Sequence, residues 1–239
     1  MSGRTMMAVL AEQESGSAAR ILGAARELVL KRGVKGLTVA EIADRAHVAK
    51  GTIYLHWSTR EDLLVGLFGR DFLASHDEFA ELLTADPDAA RPSRLLPLLL
   101  QSTVDHPFIS ALQSEDEDLL GVLTQHPRSA KLLENLGPAA LLRVALPVWR
   151  RHNLARTDWE FDEQAYALQA LLLGFLATAV ERRALAIIAV DEPARVIAAA
   201  VTALLGPEDP GPGDIRATAD AALADLATRR AALLESIGN

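Results

Sequence analysis

Apolar residues recur every three or four positions along most of the chain, which is the spacing of helices with one buried face. The first such segment begins near Ser17 and stops at Gly33, a residue that favours helix ends. Its apolar face comprises Ile21, Leu22, Ala25, Leu28 and Val29. Alanine and leucine dominate and runs of β-branched residues are short, so the pattern predicts an all-α fold.

Two short helices and the start of a third are predicted between residues 38 and 64. Thr38 and Glu41 have the spacing of a capping box, in which each side chain satisfies a free backbone N–H at a helix start. The apolar stripe of this helix stops before His47, and a second helix begins near Ala49. Helix, tight turn and helix in this order suit one task, the placement of a helix in the major groove of DNA.

The second short helix has an outer surface suited to nucleic acid. Ile53 and Trp57, four residues apart, are expected to face inward. The remaining positions then face solvent or a ligand: Ala49, Lys50, Thr52, Tyr54 and His56. Small residues followed by a lysine and hydroxyl groups let a helix approach base edges and phosphates closely. Gly51 costs about 1 kcal/mol of helix stability relative to alanine, and close approach to a partner explains that cost better than packing.

Residues 38–64 resemble the DNA-binding domain of the TetR/AcrR family of bacterial transcription regulators. The shared pattern is T-V-x-x-I-A-x-x-A-x-V-x-K-G-T-[IL]-Y-x-[HY]-[FW], followed by a polar cap, a base and E-x-L-L, and it is matched here in one register. Three positions depart from the family: His47 replaces glycine in the turn, Ala49 replaces serine, and Trp57 replaces phenylalanine. Histidine tolerates a positive φ better than most residues other than glycine, whereas Ala49 removes one contact to DNA.

The resemblance implies DNA contacts for Thr38, Ala49, Lys50, Gly51, Thr52, Tyr54, His56 and Arg60. Phosphates are the expected targets of Thr38, Tyr54 and Arg60. Lys50 is expected on a phosphate or a guanine, and Thr52 and His56 on base edges or the sugar–phosphate wall. Each has an ordinary alternative, since Thr38 caps a helix, a surface lysine is solvated, and the Tyr54 ring can pack on its own domain.

Charge is distributed unevenly along the chain. Residues 20–65 carry eight basic and five acidic side chains, a net charge of +3, whereas the whole chain has a net charge of −8 and the remainder therefore −11. A basic segment on an acidic body is expected when one end of a protein meets nucleic acid. The acidic remainder repels DNA and so favours one orientation.

Composition excludes several classes of protein. The 239 residues, half of them hydrophobic, can form one large or two smaller domains, and the absence of cysteine excludes disulfides and cysteine–metal sites. The apolar stretch Met6–Ala11 is too short for the core of a signal peptide. The run Ala165–Val180 is shorter than the roughly 18 residues expected of a membrane span. We expect a soluble, cytoplasmic protein whose residues 1–16 form a flexible arm.

A helix-turn-helix domain is predicted over residues 17–64 and a larger helical body for effector binding and dimerisation over 65–206. Residues 161–188 are apolar on nearly all sides, and 192–205 are rich in alanine, so both segments need cover. The resemblance implies that they form a four-helix dimer interface; otherwise they form the core of a monomer. The expected interface residues are Leu168, Leu172, Phe175, Ala179, Val196, Ala200 and Leu204.

The resemblance also implies that the body encloses a small-molecule effector. Aromatic groups line apolar pockets, and the candidates are Phe79, Phe108, Leu112, Trp149, Tyr166 and Phe175, each of them otherwise an ordinary core residue. Four consecutive acids at 115–118 are interpreted as a solvated loop or helix start, and the histidines lack metal-ligand spacing, so no metal or cofactor is expected. Residues 207–239 are predicted to form a hinge and an extra C-terminal helix, which docks on its own body or on a partner subunit.

The leading hypothesis is a homodimeric, sequence-specific DNA-binding transcription regulator, a repressor that a small-molecule effector releases from a palindromic operator. An activator belongs to the same class. The alternative is a helical dimeric interaction or scaffold protein with a non-functional DNA-binding head, which only His47 and Ala49 favour. An enzyme is not predicted, because the sequence lacks a Ser/His/Asp order, paired carboxylates, a phosphate-binding glycine loop and metal spacing.

Overall fold

The computed structural model describes residues 10–113, 138–180 and 190–237, and these residues form helices without any strand. The helices are α1 (Ala11–Glu14), α2 (Gly16–Arg32), α3 (Val39–Ala46), α4 (Lys50–His56), α5 (Arg60–Ala85), α6 (Pro92–Asp105), α7 (Pro107–Gln113), α8 (Pro138–Arg151), α9 (Phe161–Val180), α10 (Pro193–Leu205) and α11 (Asp214–Ile237), with a short 3-10 helix at Pro87–Ala90. The prediction of an all-α fold is confirmed. Among the described helices, none has both the length and the hydropathy that crossing a membrane requires.

The described residues divide into two compact units. The first unit contains residues 10–73 and 230–237, and the second contains 74–113, 138–180 and 190–229. The boundaries of these compact units fall inside α5 and α11. The beginning of α5 belongs to the first unit because its apolar face is buried there, as at Leu64 and Phe68.

The core of the first unit is formed by the inner faces of α2, α3, α4 and the start of α5. Ile21, Ile42 and Ile53 are fully buried, and full burial of such a side chain contributes about 1.5–3 kcal/mol. One ion pair also lies at this core, where Arg26 Nη1 donates to Asp71 Oδ1 at 2.5 Å. These contacts hold the short helices in one arrangement, which helices of seven or eight residues do not maintain alone.

The segment predicted as a flexible arm contains the helix α1. Glu12 Oε1 and Oε2 accept hydrogen bonds from Arg70 Nε at 2.6 Å and Nη2 at 2.5 Å, and Arg70 Nη1 donates to the Gly66 carbonyl at 2.6 Å. Burial by itself raises the pKa of the Glu12 carboxyl, but the hydrogen bonds from Arg70, a backbone hydrogen bond and the charge of Arg70 together outweigh it, so that this pKa is lowered. The prediction of an arm therefore does not hold for Ala11–Glu14, and residues 1–9 lie outside the described part.

The core of the second unit is built from α6, α8, α9 and α10. Its buried residues include Leu95, Leu96, Leu142, Leu146, Trp149, Leu154, Leu168, Leu172, Ile197, Val201 and Leu205. The Trp149 indole N–H donates to the Ala90 carbonyl at 3.0 Å, so the polar atom of this buried ring is satisfied. Leu168 and Leu172 were predicted at a dimer interface, and this is wrong, because both are buried in the core of the second unit.

The C-terminal helix α11 docks on its own chain. At its start, Asp214 Oδ2 accepts a hydrogen bond from the Gly211 N–H at 2.7 Å, and Asp214 Oδ1 lies 2.7 Å from His152 Nδ1. The hydrogen bond with His152, followed by the one from Gly211, lowers the pKa of the Asp214 carboxyl. Within the second unit, Ala219 packs against Leu83 and the 3-10 helix. Within the first unit, the last turn packs on α5 so closely that a Cβ at Gly69 would lie 2.3 Å from Ile237 Cγ2.

Candidate nucleic-acid interface

A three-residue turn joins α3 to α4. His47 has φ 53° and ψ 49°, in the left-handed region, and its N–H donates to the carbonyls of Ala43 and Asp44. The Val48 N–H donates to the Ala43 carbonyl at 3.0 Å. The positive φ predicted at His47 is confirmed, and this conformation ends α3 and redirects the chain into α4.

Two side-chain caps fix the helices on either side of α4. Thr38 Oγ1 accepts from the Glu41 N–H at 3.2 Å, while Glu41 Oε2 accepts from the Thr38 N–H at 3.0 Å, so the predicted capping box is confirmed. Asp62 and Thr59 form the equivalent pair of bonds at the start of α5. Hydrogen bonds from the Thr38 backbone and hydroxyl lower the pKa of the Glu41 carboxyl. The cap therefore forms fully above the usual glutamate pKa and is lost as pH falls through the lowered value.

The helix α4 separates into an inner and an outer face. Ile53 is fully buried and Trp57 nearly so, as predicted. The side chains of Lys50, Tyr54 and Leu55 are exposed, Thr52 is half-buried, and Gly51 is exposed as well. Lys50, Thr52 and Tyr54 form no side-chain hydrogen bond or ion pair with any described residue. Their polar atoms are therefore free to bind a partner.

Unlike Lys50, several arginines of the first unit form ion pairs within the protein. Arg32 Nη1 lies 3.0 Å from Glu41 Oε1, Arg45 pairs with Glu27, and Arg26 pairs with Asp71. Each of these pairs neutralises much of a positive charge within the protein itself. Within the described residues, the charge of Lys50 is not neutralised, so it can attract an anion such as a phosphate.

Gly51 is not needed for packing within the subunit. It has a helical conformation, and a Cβ built on it would meet no atom within 4 Å. Glycine in a helix is destabilising relative to alanine, and nothing inside the described structure compensates for that loss. The α4 backbone at Gly51 is therefore open to the outside of the unit.

Arg60 and His56 have partners inside the first unit. Arg60 Nη2 donates to the Val34 carbonyl at 2.5 Å and Nη1 to Glu61 Oε1 at 3.1 Å, so its guanidinium holds the loop between α2 and α3. His56 Nε2 lies 3.2 Å from Ser17 Oγ, at the start of α2. Sequence reasoning missed both positioning contacts, because the partners lie 26 and 39 residues away.

Leu55 is an outer-face residue that sequence reasoning missed. Its side chain is 81% exposed, more than any other large hydrophobic side chain in the described ranges. It lies four residues after Gly51 and two after Ile53, so the same spacing that buries Ile53 places Leu55 on the opposite face. That spacing was the available signal, although polar side chains are the usual indicators of a nucleic-acid contact.

The predicted effector residues lie in different environments. Phe79 and Trp149 belong to the core of the second unit, Phe108 is buried in α7, and Phe175 packs partly buried against that core. Tyr166 is 76% exposed, so its assignment to a pocket enclosed by the subunit is wrong. The side chain of Leu112 lies outside the described part.

An exposed apolar face runs along α9, and a second runs along α10. On α9 it consists of Tyr166, Ala170, Leu173 and Ala177, and on α10 of Val196, Ala199 and Ala203. Spacings of three, four and seven residues place the members of each set on one side of a helix. Of the predicted interface residues, Val196 is exposed, whereas Phe175, Ala179, Ala200 and Leu204 are half-buried.

Comparison with known proteins supports the character of the first unit. Residues 21–67 match the model of the bacterial regulatory proteins of the tetR family. The HTH-type transcriptional repressor KstR of Mycobacterium tuberculosis is 42% identical over 72 residues, which cover 28% of this chain but only 33% of KstR. This match is therefore restricted to one part of both proteins.

Two other relatives match over most of their length. The HTH-type transcriptional repressor NemR of Escherichia coli is 30% identical over 162 residues, covering 64% of this chain and 79% of NemR. The fatty acid metabolism regulator protein of Bacillus subtilis is 39% identical over 173 residues, covering 64% of this chain and 88% of that protein. The crystal structure of reduced E. coli NemR aligns with a TM-score of 0.52 at 25% identity, over 80% of this chain and 98% of that one. With its capped helix-turn-helix and these similarities in sequence and fold, the chain belongs to the tetR family of bacterial regulatory proteins.

Proposed function

We propose that the protein is a homodimeric transcription repressor that binds a palindromic operator through α4 and leaves it when a small molecule binds the second unit. The observation that carries this proposal is the outer face of α4, which is exposed, lacks partners among the described residues and follows a sharp left-handed turn. The net charge of +3 over residues 20–65 supports it, since the phosphate backbone contributes most of the affinity of such proteins for DNA.

In this proposal α4 lies in the major groove. Lys50 binds a phosphate or the acceptor edge of a guanine, Tyr54 donates its hydroxyl to a phosphate, and Thr52 contacts a base edge. Ala49 and Gly51 keep the leading end of the helix small enough to approach the DNA. Thr38, His56 and Arg60 complete the surface at its margins, and the last two combine contact with the positioning roles that their internal hydrogen bonds indicate.

The proposed dimer forms through α9 and α10 of the second unit. Each helix has an exposed apolar face, and such faces are stabilised when a second copy covers them. A two-fold pair presents two copies of α4, which suits half-sites about 34 Å apart on one side of the DNA. The domains that we propose are residues 17–64 for DNA binding, 65–206 for effector binding and dimerisation, and 207–239 for the hinge and α11.

The proposed effector site lies in the second unit near Phe79, Phe108, Trp149 and Phe175. The second unit also holds polar groups: Ser75 Oγ of α5 lies 3.1 Å from Ser102 Oγ of α6, and His106 Nε2 lies 3.1 Å from Glu78 Oε2. Apolar walls with a few polar groups are typical of small-molecule sites. Release from DNA requires that the effector bind more tightly to the conformation with the lower affinity for DNA.

Selection of DNA by the full-length protein tests this function. A pool of random-sequence duplexes should yield an enriched palindrome, and its affinity should fall steeply with salt, because each neutralised phosphate adds about −0.9 to the slope of log K against log salt concentration. A pool that stays unenriched after repeated rounds contradicts sequence-specific binding. It would favour the alternative of a helical scaffold.

The substitution Gly51→Ala should change stability and DNA binding in opposite directions. The added methyl group meets no atom of the subunit, so the free energy of unfolding should rise by about 1 kcal/mol. Operator affinity should fall at least about tenfold, because the same methyl group separates α4 from the DNA on both half-sites. Denaturant titration and binding to the selected operator measure the two effects.

Gly23→Ala is the matched control for this prediction. Gly23 is an exposed glycine inside α2, and a Cβ there also meets nothing within 4 Å. This variant should gain similar stability and bind the operator as the wild type does. If both variants bind equally well, then Gly51 is not at a contact with DNA.

A further inference from the structure

Leu55 combines an apolar side chain with almost complete exposure. It is 81% exposed on α4, although burial of a leucine side chain stabilises a folded protein by about 1.5–3 kcal/mol. One exposed leucine is far too small a patch for a stable protein–protein interface, which needs roughly 800 Å² on each partner. Its surroundings on α4 indicate what covers it instead.

Leu55 shares the exposed part of α4 with polar residues and one glycine. Gly51 lies one turn before Leu55 on the outer face and has no side chain, so the surface beside the leucine is open. Thr52 and Tyr54 carry hydroxyl groups on adjoining positions, and Lys50 adds a positive charge at the start of the helix. A ligand that fits this face must therefore be mostly polar and anionic, with one apolar group near its middle.

The major groove of DNA has this chemical character. Phosphates border it, base edges present donors and acceptors along its floor, and thymine alone among the four bases adds a methyl group there. A leucine side chain forms no hydrogen bond, so it gains nothing from the polar edges of guanine, adenine or cytosine. It gains van der Waals contact only at thymine, whose 5-methyl group presents an apolar surface in the groove.

We infer that Leu55 is a specificity-determining residue that selects thymine at one position of each half-site by packing against the 5-methyl group. This inference rests on the proposed function and adds to it a base and a residue. Gly51 contributes by leaving space for the backbone to come near enough for this contact. Leu55 acts on sequence preference, whereas Lys50 and Tyr54 act mainly on affinity through phosphates.

Deoxyuridine, which is thymidine without the methyl group, provides the test. In the palindrome selected by the full-length protein, each thymine is replaced singly by deoxyuridine in both half-sites, and affinity is measured for the wild type and for Leu55→Ala. The wild type should lose about threefold to fivefold per half-site at one position, which is the effect expected of one buried methyl group. Leu55→Ala should bind less tightly and should not distinguish thymine from uracil at that position.

Leu30→Ala is the control variant, since Leu30 is also an exposed leucine of the first unit but lies on α2. It should keep the wild-type response to every deoxyuridine. Identical response profiles of wild type and Leu55→Ala overturn the inference and leave the proposed function standing. Failure to select any palindrome is a different result, which overturns the proposed function itself. Unchanged thermal midpoints show that the variants remain folded.

Discussion

The double variant Lys50→Ala/Tyr54→Ala is expected to lose specific operator binding by at least about a hundredfold while it remains folded and keeps the proposed dimeric state. Both side chains are exposed and without partners in the described part of the chain, so their removal costs the fold little. A hydrogen bond to a charged group contributes about 1.5–3 kcal/mol, and each subunit of a dimer carries both substitutions. A shift assay over a series of salt concentrations measures the effect.

The salt series distinguishes the removal of a phosphate-binding group from a general change in protein charge. Without the Lys50 ammonium group, the slope of log K against log salt concentration should decrease by about one for each phosphate that is no longer neutralised. Arg216→Ala removes one exposed positive charge from the second unit and should leave both slope and affinity close to those of the wild type. If the double variant binds the operator like the wild type, α4 is not the helix that contacts DNA.

The second large effect is expected from Leu173→Glu, which should convert the proposed dimer to a monomer. Leu173 lies at the centre of the exposed apolar face of α9. A carboxylate that is buried without a partner costs several kcal/mol, and two-fold symmetry introduces two of them. The dissociation constant of the dimer should rise by at least about a hundredfold, measured by sedimentation over a range of protein concentrations. Operator affinity should fall with it, because a monomer binds one half-site only.

Thr178→Glu adds the same charge to the same helix and serves as the control. Thr178 is exposed but lies outside the set of Tyr166, Ala170, Leu173 and Ala177. This variant should sediment as the wild type does. A Leu173→Glu protein that remains dimeric would mean that the chain associates through another surface, and the proposed role of α9 would have to be abandoned.

The helix-turn-helix could be predicted from sequence because the interactions that form it are local. The Thr38–Glu41 and Thr59–Asp62 caps join residues three apart, and the left-handed turn depends on the conformation of His47 alone. The faces of α4 follow from helical spacing around the buried Ile53. The outward position of Leu55 follows from the same spacing, but an apolar side chain does not by itself indicate a contact with a polar ligand.

The body shows why a pattern that is apolar on every side does not identify an interface. In α9 leucines occupy several faces, so the sequence contains no polar side that marks the solvent, and Leu168 and Leu172 were assigned to the wrong face. Packing of α6, α8 and α10 against α9 decides that these two are buried and that Leu173 and Tyr166 are exposed.

The sequence by itself determined α3, α4 and the start of α5, the caps at Thr38 and Thr59, the turn at His47 and the outward face of α4, because each depends on residues within about one helical turn of one another. The tertiary structure alone decided that Glu12 binds Arg70 and that Ile237 packs on Gly69. It also decided which leucines of α9 remain exposed. The physical reason is that these contacts join side chains that are distant along the chain, and local spacing carries no information on which distant surfaces meet.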